Sequence, residues 1–288
     1  MTQSSVVEPV AALVPGTARR RRTRTPGQLG GASGLALGAS MIWFSLLVLI
    51  PLSAVVVSAT SGGWSGFIDV VTNPQTASAL RLTVLQAALV TAVNVVMGTA
   101  LAWVLVRDRF WGKRVLDVVI DVPFALPTIV AGLVLLALYG QHSPLGVNVA
   151  NTRYAVFLAL AFVTLPFVVR TVQPVLETLE GDVEEAAASL GAGRLTAFRR
   201  VILPSLVPAI TAGAALSFAR GISEYGSLVL LSGNLPNHTE VASVRVLTYI
   251  ENGDKAAAAS VAAILLVVAL LVIVLLDLLQ RRLARHGD

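Results

Sequence analysis

Two ionisable side chains of opposite charge lie within a long apolar stretch of the sequence. Arg220 precedes Glu224 by four residues, so on a helix the two side chains face the same side and can pair. Ionisable groups in such stretches usually face the interior of a helix bundle and mark functional sites. An unpaired arginine there would attract a dianion, whereas a paired one would mainly shape a pore. The spacing alone leaves both roles open.

Other kinds of chemistry are excluded by the residues present. The chain has no cysteine, which rules out disulfides, thiolate metal ligands and cysteine nucleophiles. His142, His238 and His286 lack the spacing of metal-binding motifs, so we predict no metal site and no cofactor bound by this chain. The sequence also lacks a G-x-x-x-x-G-K-[ST] phosphate loop. Any ATP and magnesium must therefore be bound by a partner chain.

A second concentration of polar residues lies between two apolar stretches. Apolar residues recur at helical spacing from Leu176 to Leu190, which predicts a short amphipathic helix near 176–193. Gly191 is expected to end this helix, because glycine adopts the left-handed cap conformation without steric cost. The carboxylates on the other faces of this helix belong to Glu177, Glu180, Glu184 and Glu185.

This amphipathic helix has the composition of a protein-docking element. Its small face, Ala186 to Ala188, allows another protein surface to approach closely, and the carboxylates can pair with basic groups there. The alternative is a helix that rests on lipid headgroups. Clustered acids argue against that alternative, because lipid-binding helices favour Lys and Arg.

The composition indicates an integral membrane protein. Hydrophobic residues make up 56% of the 288 residues and charged residues only 13%, against a usual charged share of about 25%. The apolar residues fall in blocks long enough for helices that cross about 30 Å of hydrocarbon. We predict an all-α membrane protein whose six spans are Leu35–Ala59, Leu82–Val106, Val118–Tyr139, Ala155–Val172, Leu206–Leu231 and Ala256–Leu279.

The basic residues set the orientation of these spans. Fifteen of the 21 lysines and arginines fall on one side, while Arg153, Arg245 and Lys255 fall on the other. By the positive-inside rule both termini are cytoplasmic. The net charge of +5 therefore reflects membrane topology, and we exclude nucleic acid as a partner. The fifteen are Arg19, Arg20, Arg21, Arg22, Arg24, Arg107, Arg109, Lys113, Arg114, Arg194, Arg199, Arg200, Arg281, Arg282 and Arg285.

The chain divides into three segments by composition. Residues 1–34 form a basic segment without apolar periodicity, which we expect to be disordered and cytoplasmic. Residues 35–280 form the membrane domain, and residues 281–288 form a cytoplasmic tail. A cleavable signal peptide is the alternative for the first span, but its apolar run exceeds the 7 to 15 residues of a signal core.

Helix-breaking residues interrupt several of the spans. The third span contains Pro123 and Pro127, the fourth contains Pro166, and the fifth contains Gly221 and Gly226. Proline frees backbone carbonyls, which is tolerated at membrane depth where protein or a water-filled cavity satisfies them. Kinked spans together indicate a pathway, although each kink alone favours helix packing over transport.

The segment after the predicted amphipathic helix carries a specific resemblance. Glu185-Ala186-Ala187, Gly191, Val201 and Leu203-Pro204 resemble the signature of ABC-importer permeases, with Val201 where isoleucine is usual. The resemblance implies the type I importer permease fold and a coupling helix that docks on an ATPase subunit. With Glu184, these residues are the predicted ATPase-coupling residues.

A further resemblance covers most of residues 35–280 and points to the sulfate and molybdate permeases. The stretch 121–132 looks like the third span of the T-type sulfate/thiosulfate permeases, and Glu224-Tyr225-Gly226-Ser227, Ser232-Gly-Asn, Pro236 and Thr239-Glu240 look like a sulfate-type motif. Ser223 departs from the glycine usual before the glutamate, which favours a less sharply broken fifth helix. The resulting pathway or gate candidates are Pro123, Pro127, Thr128, Arg220, Glu224, Tyr225 and Gly226.

The resemblance also implies the partners of the chain. They are an extracytoplasmic sulfate-binding protein, a second homologous permease subunit of W type, two ATP-binding subunits and the lipid of the bacterial cytoplasmic membrane. The alternatives are a molybdate or tungstate permease and, in another class, an ion-coupled secondary transporter. Secondary transporters commonly have repeated halves, which we do not find in this sequence. A passive scaffold leaves the Glu-Ala-Ala segment unexplained.

Overall fold

The chain is a bundle of membrane-spanning helices. The computed structural model describes residues 31–179, 189, 191 and 193–284, and within them every regular element is a helix. The helices in chain order are α1 (Gly31–Phe44), α2 (Ile50–Thr60), α3 (Gly63–Thr72), α4 (Pro74–Arg107), α5 (Lys113–Ala125), α6 (Thr128–Tyr139), α7 (Arg153–Thr178), α8 (Arg194–Ala197), α9 (Leu203–Ile222), α10 (Gly226–Leu231), α11 (Ala242–Glu251) and α12 (Lys255–Ala284).

The number of spans agrees with the prediction. Within the described part of the chain, five helical runs are long and apolar enough to cross a membrane, and the bent pair α5 and α6 makes a sixth if it counts as one span. The all-α membrane fold is therefore confirmed. The five runs are Ser33–Thr60, Pro74–Arg107, Arg153–Thr178, Phe198–Ile222 and Lys255–Arg282.

The chain forms two compact units with a boundary at Ile50. The described part of the first unit is α1 and a π-helical turn, Ser45–Leu49, and it has no buried side chain. Its exposed residues are large and apolar, such as Leu35, Ile42 and Trp43. A helix that is apolar on all faces suits a lipid environment.

Helix α7 lies at the centre of the second unit, in contact with α4 and α9. Glycines allow this close approach, since a Cβ added to Gly98 of α4 would lie 2.9 Å from the Cβ of Val168. On the α9 side, a Cβ added to Gly213 would lie 3.0 Å from the Cα of Val168. Small residues are the usual means by which membrane helices pack backbone to backbone.

A buried hydrogen bond and a second apolar cluster complete the unit. The amide of Asn94 donates to Thr164 Oγ1 at 2.8 Å, which joins α4 to α7. Ala87, Phe218 and Ile222 are buried against the apolar side chains of α12, and the hydroxyl of Thr211 donates to Gln280 Oε1 at 3.0 Å. Helix α12 therefore packs mainly against α9 and, at its other end, against α11.

The third predicted span is not one helix. Its two halves, α5 and α6, meet at a bend of 117°. Pro127 causes the break, because proline pushes the preceding residue out of the helical region, and Leu126 has φ −86° and ψ 134°. Pro123, by contrast, lies inside α5 without ending it. The interruption predicted within Val118–Tyr139 is therefore present, as a break between two helices at Pro127.

The fifth predicted span, Leu206–Leu231, is also interrupted. Helix α9 ends at Ile222, and α10 begins at Gly226 after the segment Ser223 to Tyr225. The following helix has its own cap, since the Glu224 carboxylate accepts a hydrogen bond from Ser227 N at 2.9 Å. The expectation that Ser223 makes this break less sharp stays a prediction.

The predicted amphipathic helix near 176–193 overlaps the end of α7. Leu176 is fully buried within α7, which ends at Thr178, so the first residues of the prediction belong to a span. Gly191 has φ +80°, the left-handed conformation that the prediction assigned to it. Glu184, Glu185, Ala186 and Ala187 lie outside the described residues, and the docking helix stays a prediction.

Candidate functional site

The two broken spans meet at their breaks. A Cβ added to Gly226, at the start of α10, would lie 2.8 Å from the backbone N of Ile129 at the start of α6 and would collide with Thr128 Oγ1. A Cβ added to Gly132 would lie 2.7 Å from the carbonyl oxygen of Ser227. Since no side chain fits at either position, α6 and α10 are in direct backbone contact.

This contact brings together gate candidates that are about 100 residues apart in sequence. Pro127 is the N-cap of α6 and Thr128 its first residue, while Tyr225 is the N-cap of α10 and Gly226 its first residue. The helix starts thus lie side by side, and we call these four residues with Glu224 the junction. Pro123 stands apart from the junction, near the end of α5.

Arg220 and Glu224 form an ion pair beside the junction. Arg220 Nη2 lies 2.7 Å from Glu224 Oε2, and the glutamate side chain is completely buried while the arginine side chain is 30% exposed. Glu224 Oε1 accepts hydrogen bonds from Ser227 N at 2.9 Å and from Ser227 Oγ at 2.8 Å. The paired role, one of two that the spacing left open, is the one that the structure has.

The two side chains of this ion pair differ in how many partners they have. Both carboxylate oxygens of Glu224 are used, and its carbonyl oxygen accepts a hydrogen bond from Ser243 Oγ at 2.6 Å. The guanidinium of Arg220 has no other polar partner among the described residues, so only one of its three nitrogens is engaged. The guanidinium can therefore bind a further acceptor while Glu224 keeps α10 capped.

A second charged cluster was missed by the analysis of the sequence. Arg170 of α7 donates from Nε and Nη2 to the two carboxylate oxygens of Asp121, each at 2.7 Å. Its Nη1 donates to Asp117 Oδ1 at 2.7 Å and to Gln173 Oε1 at 2.6 Å. Two acids four residues apart on α5 and a lone arginine in an apolar helix were the available signal.

The Arg170 cluster joins α5 to α7. It fastens α5, whose C-terminal end leads into the break at Leu126, to α7, which precedes the predicted docking segment. The end of α7 is also tied to α4, because Arg107 Nη2 donates to the carbonyl oxygen of Leu179 at 3.2 Å. A movement of this end of α7 would therefore be transmitted to α5.

The described residues of the predicted coupling signature lie at the start of α9 and just before it. Leu203 begins α9, and Pro204 takes a first-turn position there, where its missing N–H costs nothing. Val201 lies in the π-helical turn Phe198–Ile202 just before it. In the loop after α10, Thr239 Oγ1 donates to the carbonyl oxygen of Ser232 at 2.6 Å, which closes the loop.

We predict that Arg220→Ala lowers the free energy of unfolding by about 3 kcal/mol, because it leaves a buried carboxylate without its counter-ion. Adding Glu224→Gln should restore part of this loss, since the amide removes the charge but still accepts a hydrogen bond from Ser227. Thermal unfolding in detergent measures both variants.

The matched control is Arg281→Ala, which removes an exposed ion pair of the same four-residue spacing, Arg281 to Asp277 at 2.8 Å. It should cost no more than about 0.5 kcal/mol. An equal loss for Arg220→Ala with and without Glu224→Gln would show that pairing is not the role of Arg220.

For the second cluster, we predict that Asp121→Asn and Arg170→Gln each lower stability by on the order of 2 kcal/mol, between the values for exposed and buried pairs. The double variant should lose less than the sum, because both changes remove one bidentate interaction. A double-mutant cycle by thermal unfolding tests this coupling. Strict additivity would mean that the cluster does not hold α5 to α7.

Comparisons with known proteins agree with this arrangement. Residues 94–286 match the family of the binding-protein-dependent transport system inner membrane component. The chain is 43% identical over 258 residues to the sulfate transport system permease protein CysT of Salmonella typhimurium, covering 87% of this chain and 93% of that protein. It is 44% identical over 256 residues to the CysT protein of Synechocystis, covering 86% and 90%.

Solved structures share the fold at low sequence identity. A chain of a bacterial alginate ABC transporter, in complex with an alginate pentasaccharide-bound periplasmic protein, superposes with a TM-score of 0.71 at 17% identity, covering 87% of this chain and 94% of that one. A chain of an amino acid ABC transporter gives a TM-score of 0.53 at 23% identity, covering 73% and 94%. This chain belongs to the family of inner membrane components of binding-protein-dependent transport systems and has the fold of type I ABC-importer permeases.

Proposed function

We propose that this chain is the T-type permease subunit of an ATP-driven importer that moves sulfate or thiosulfate into the cytoplasm. The observation that carries the proposal is Arg220, a partly exposed guanidinium with spare donors at the meeting point of two broken spans. Its relatives at 40–44% identity, which are sulfate transport permeases by name, support the choice of anion.

The junction suits the passage of a doubly charged oxyanion. A guanidinium offers two parallel N–H donors, which match two oxygens of a tetrahedral anion. The starts of α6 and α10 add the positive ends of two helices, and such half-helix starts line anion sites in other transporters. Glu224 keeps the local charge near neutral, so an anion is held weakly enough to leave again.

In this proposal, partner subunits that hydrolyse ATP supply the energy for transport. ATP and magnesium are bound by two ATP-binding subunits, on which the segment with Glu184, Glu185, Ala186 and Ala187 docks. Closure of those subunits moves the end of α7, and the Arg170 cluster passes the movement to α5 and the junction. Gly191, Val201, Leu203 and Pro204 set the path of the chain from the docking segment into α9.

The other partners follow from the same assignment. We propose that a second, W-type permease subunit forms the other half of the pore and that a sulfate-binding protein delivers the anion outside. In this proposal the chain lies in the inner membrane of a bacterial cell with both termini in the cytoplasm, which the distribution of basic residues supports by the positive-inside rule.

We predict that cells without this chain lose high-affinity sulfate uptake and need a reduced sulfur source. Radiolabelled sulfate uptake in the deletion strain, with and without a plasmid copy of the chain, measures this. Uptake of molybdate is followed in parallel. Normal sulfate uptake with lost molybdate uptake would transfer the assignment to a molybdate or tungstate permease.

The docking segment generates a separate prediction. Glu185→Arg should weaken retention of the ATPase subunit about tenfold, because a charge-assisted contact contributes about 1.5 to 3 kcal/mol. Gly191→Val should do comparable damage, because the left-handed backbone at φ +80° is costly for a β-branched residue. Co-purification and ATPase activity stimulated by the loaded binding protein are the measurements.

Two control variants separate docking from general damage. Gly193→Val introduces the same side chain two residues later, at a glycine without a left-handed backbone and with open space around it. Glu251→Arg reverses a charge at the exposed end of α11, on the opposite side of the membrane in the proposed topology. Wild-type retention and stimulation in Glu185→Arg and Gly191→Val would refute the docking role and favour a secondary transporter.

A further inference from the structure

A polar groove runs beside the first turns of α4. Its volume is 530 Å³, and its lining includes Ser78, Arg81 and Gln86 of α4 and Arg153, the first residue of α7. Its lining residues belong to a part of the chain that the function proposed above does not use. Two arginines that line one groove repel each other unless an anion lies between them.

Both of these arginines lack a counter-ion. Arg81 and Arg153 are exposed, and neither forms an ion pair with a carboxylate among the described residues. Arg245, which the predicted orientation places on the same side of the membrane, does have a nearby carboxylate and an aromatic ring. It is 11% exposed, lies 3.9 Å from Glu240 and stacks 4.4 Å from the ring centroid of Tyr249.

The walls of the groove are held together by one loop. Ser78 Oγ donates to the carbonyl oxygen of Asn237 at 3.2 Å, and Arg153 Nε donates to the next carbonyl oxygen, that of His238, at 3.3 Å. Asn237 reaches this geometry with φ +59°. Because Nε of Arg153 is engaged, its two terminal nitrogens form the free edge of the guanidinium.

The position of the groove places it near the surface of the bilayer. Helix α4 has 34 residues and is about 51 Å long, against about 30 Å of hydrocarbon. About 10 Å can therefore extend beyond the hydrocarbon at each end. Arg81 follows Pro74 by seven residues, or about 10 Å, which puts its guanidinium at the boundary.

We propose that this groove binds a tetrahedral oxyanion through Arg81 and Arg153. Each guanidinium presents paired N–H donors to two oxygens of such an anion. Gln86 adds an amide at the same wall, and a half rotation about its last bond presents either its oxygen or its two N–H donors. The oxyanion is either the free transported anion or the phosphate of an anionic lipid. In the first case the inference rests on the function proposed above.

The absence of cysteine makes a direct test possible. Ala77 lines the groove one helical turn before Arg81, so Ala77→Cys places a single thiol of this chain beside the arginines. Asn252→Cys, at the exposed end of α11, is the matched control. The assembled transporter is labelled in nanodiscs with an anionic sulfonate and a cationic ammonium thiosulfonate reagent, and labelling of this chain is followed on a gel.

The groove should favour the anionic reagent. We expect the ratio of anionic to cationic labelling rates to be about tenfold higher at Ala77→Cys than at Asn252→Cys. Inorganic sulfate, at constant ionic strength set with potassium chloride, should slow labelling of Ala77→Cys only. Arg81→Gln and Arg153→Gln should each abolish the preference and the protection, while Lys255→Gln, which removes another exposed charge, should leave both unchanged.

The lipid composition distinguishes the two sources. Protection by sulfate in phosphatidylcholine and in phosphatidylglycerol nanodiscs alike identifies the free anion. Slow labelling in phosphatidylglycerol nanodiscs that sulfate does not change, and that either arginine variant relieves, identifies a lipid headgroup. Equal reagent ratios at the two cysteines, with no protection by sulfate or by phosphatidylglycerol, would overturn the inference.

Failure of this inference is distinguishable from failure of the proposed function. If sulfate uptake depends on the chain but labelling at Ala77→Cys shows no preference or protection, the groove proposal fails and the transport proposal stands. If uptake of sulfate is independent of the chain while the arginine-dependent preference persists, the transport proposal fails and the groove remains an oxyanion site.

Discussion

Every backbone polar group inside a bilayer needs a partner within the protein, and this constraint explains how the chain breaks its helices. Each break has local partners for the groups that it frees. The carbonyl of Pro127 accepts from Val130 and Ala131 at 2.9 and 3.0 Å, and the Glu224 carboxylate accepts from Ser227 N. The two breaks also pack against each other through Gly132 and Gly226, so the start of each helix is covered on one side by the other.

The charges within the membrane domain follow a related constraint. An isolated charge in hydrocarbon is costly, so Arg170 is matched by two aspartates and Glu224 by Arg220. The two clusters differ in what they join. The Arg170 cluster joins two helices and engages all three guanidinium nitrogens, whereas the Arg220 pair stays within four residues of one chain segment and engages one. In the proposed function the first arrangement would pass movement between helices, and the second would leave donors for a ligand.

These features suit a subunit that moves an anion without binding ATP itself. The anion would be met by guanidinium groups at two depths, in the groove beside the first turns of α4 and at the junction. Energy would reach the junction through α7 and α5 from a docking segment on the far side. The separation of these tasks along the bundle agrees with a family whose members work with a binding protein.

The sequence by itself determined the spans and their approximate ends, because apolar blocks about 20 residues long have few other solutions. It also identified Arg220 and Glu224 as neighbours and Pro127 and Gly226 as interruptions, since these depend on local spacing and backbone chemistry. It could not show that the interruptions meet, that Arg170 reaches Asp117 and Asp121 about 50 residues away, or that Arg81 and Arg153 share a groove. Those contacts depend on how helices distant in sequence pack side by side, and only the tertiary structure decides that packing.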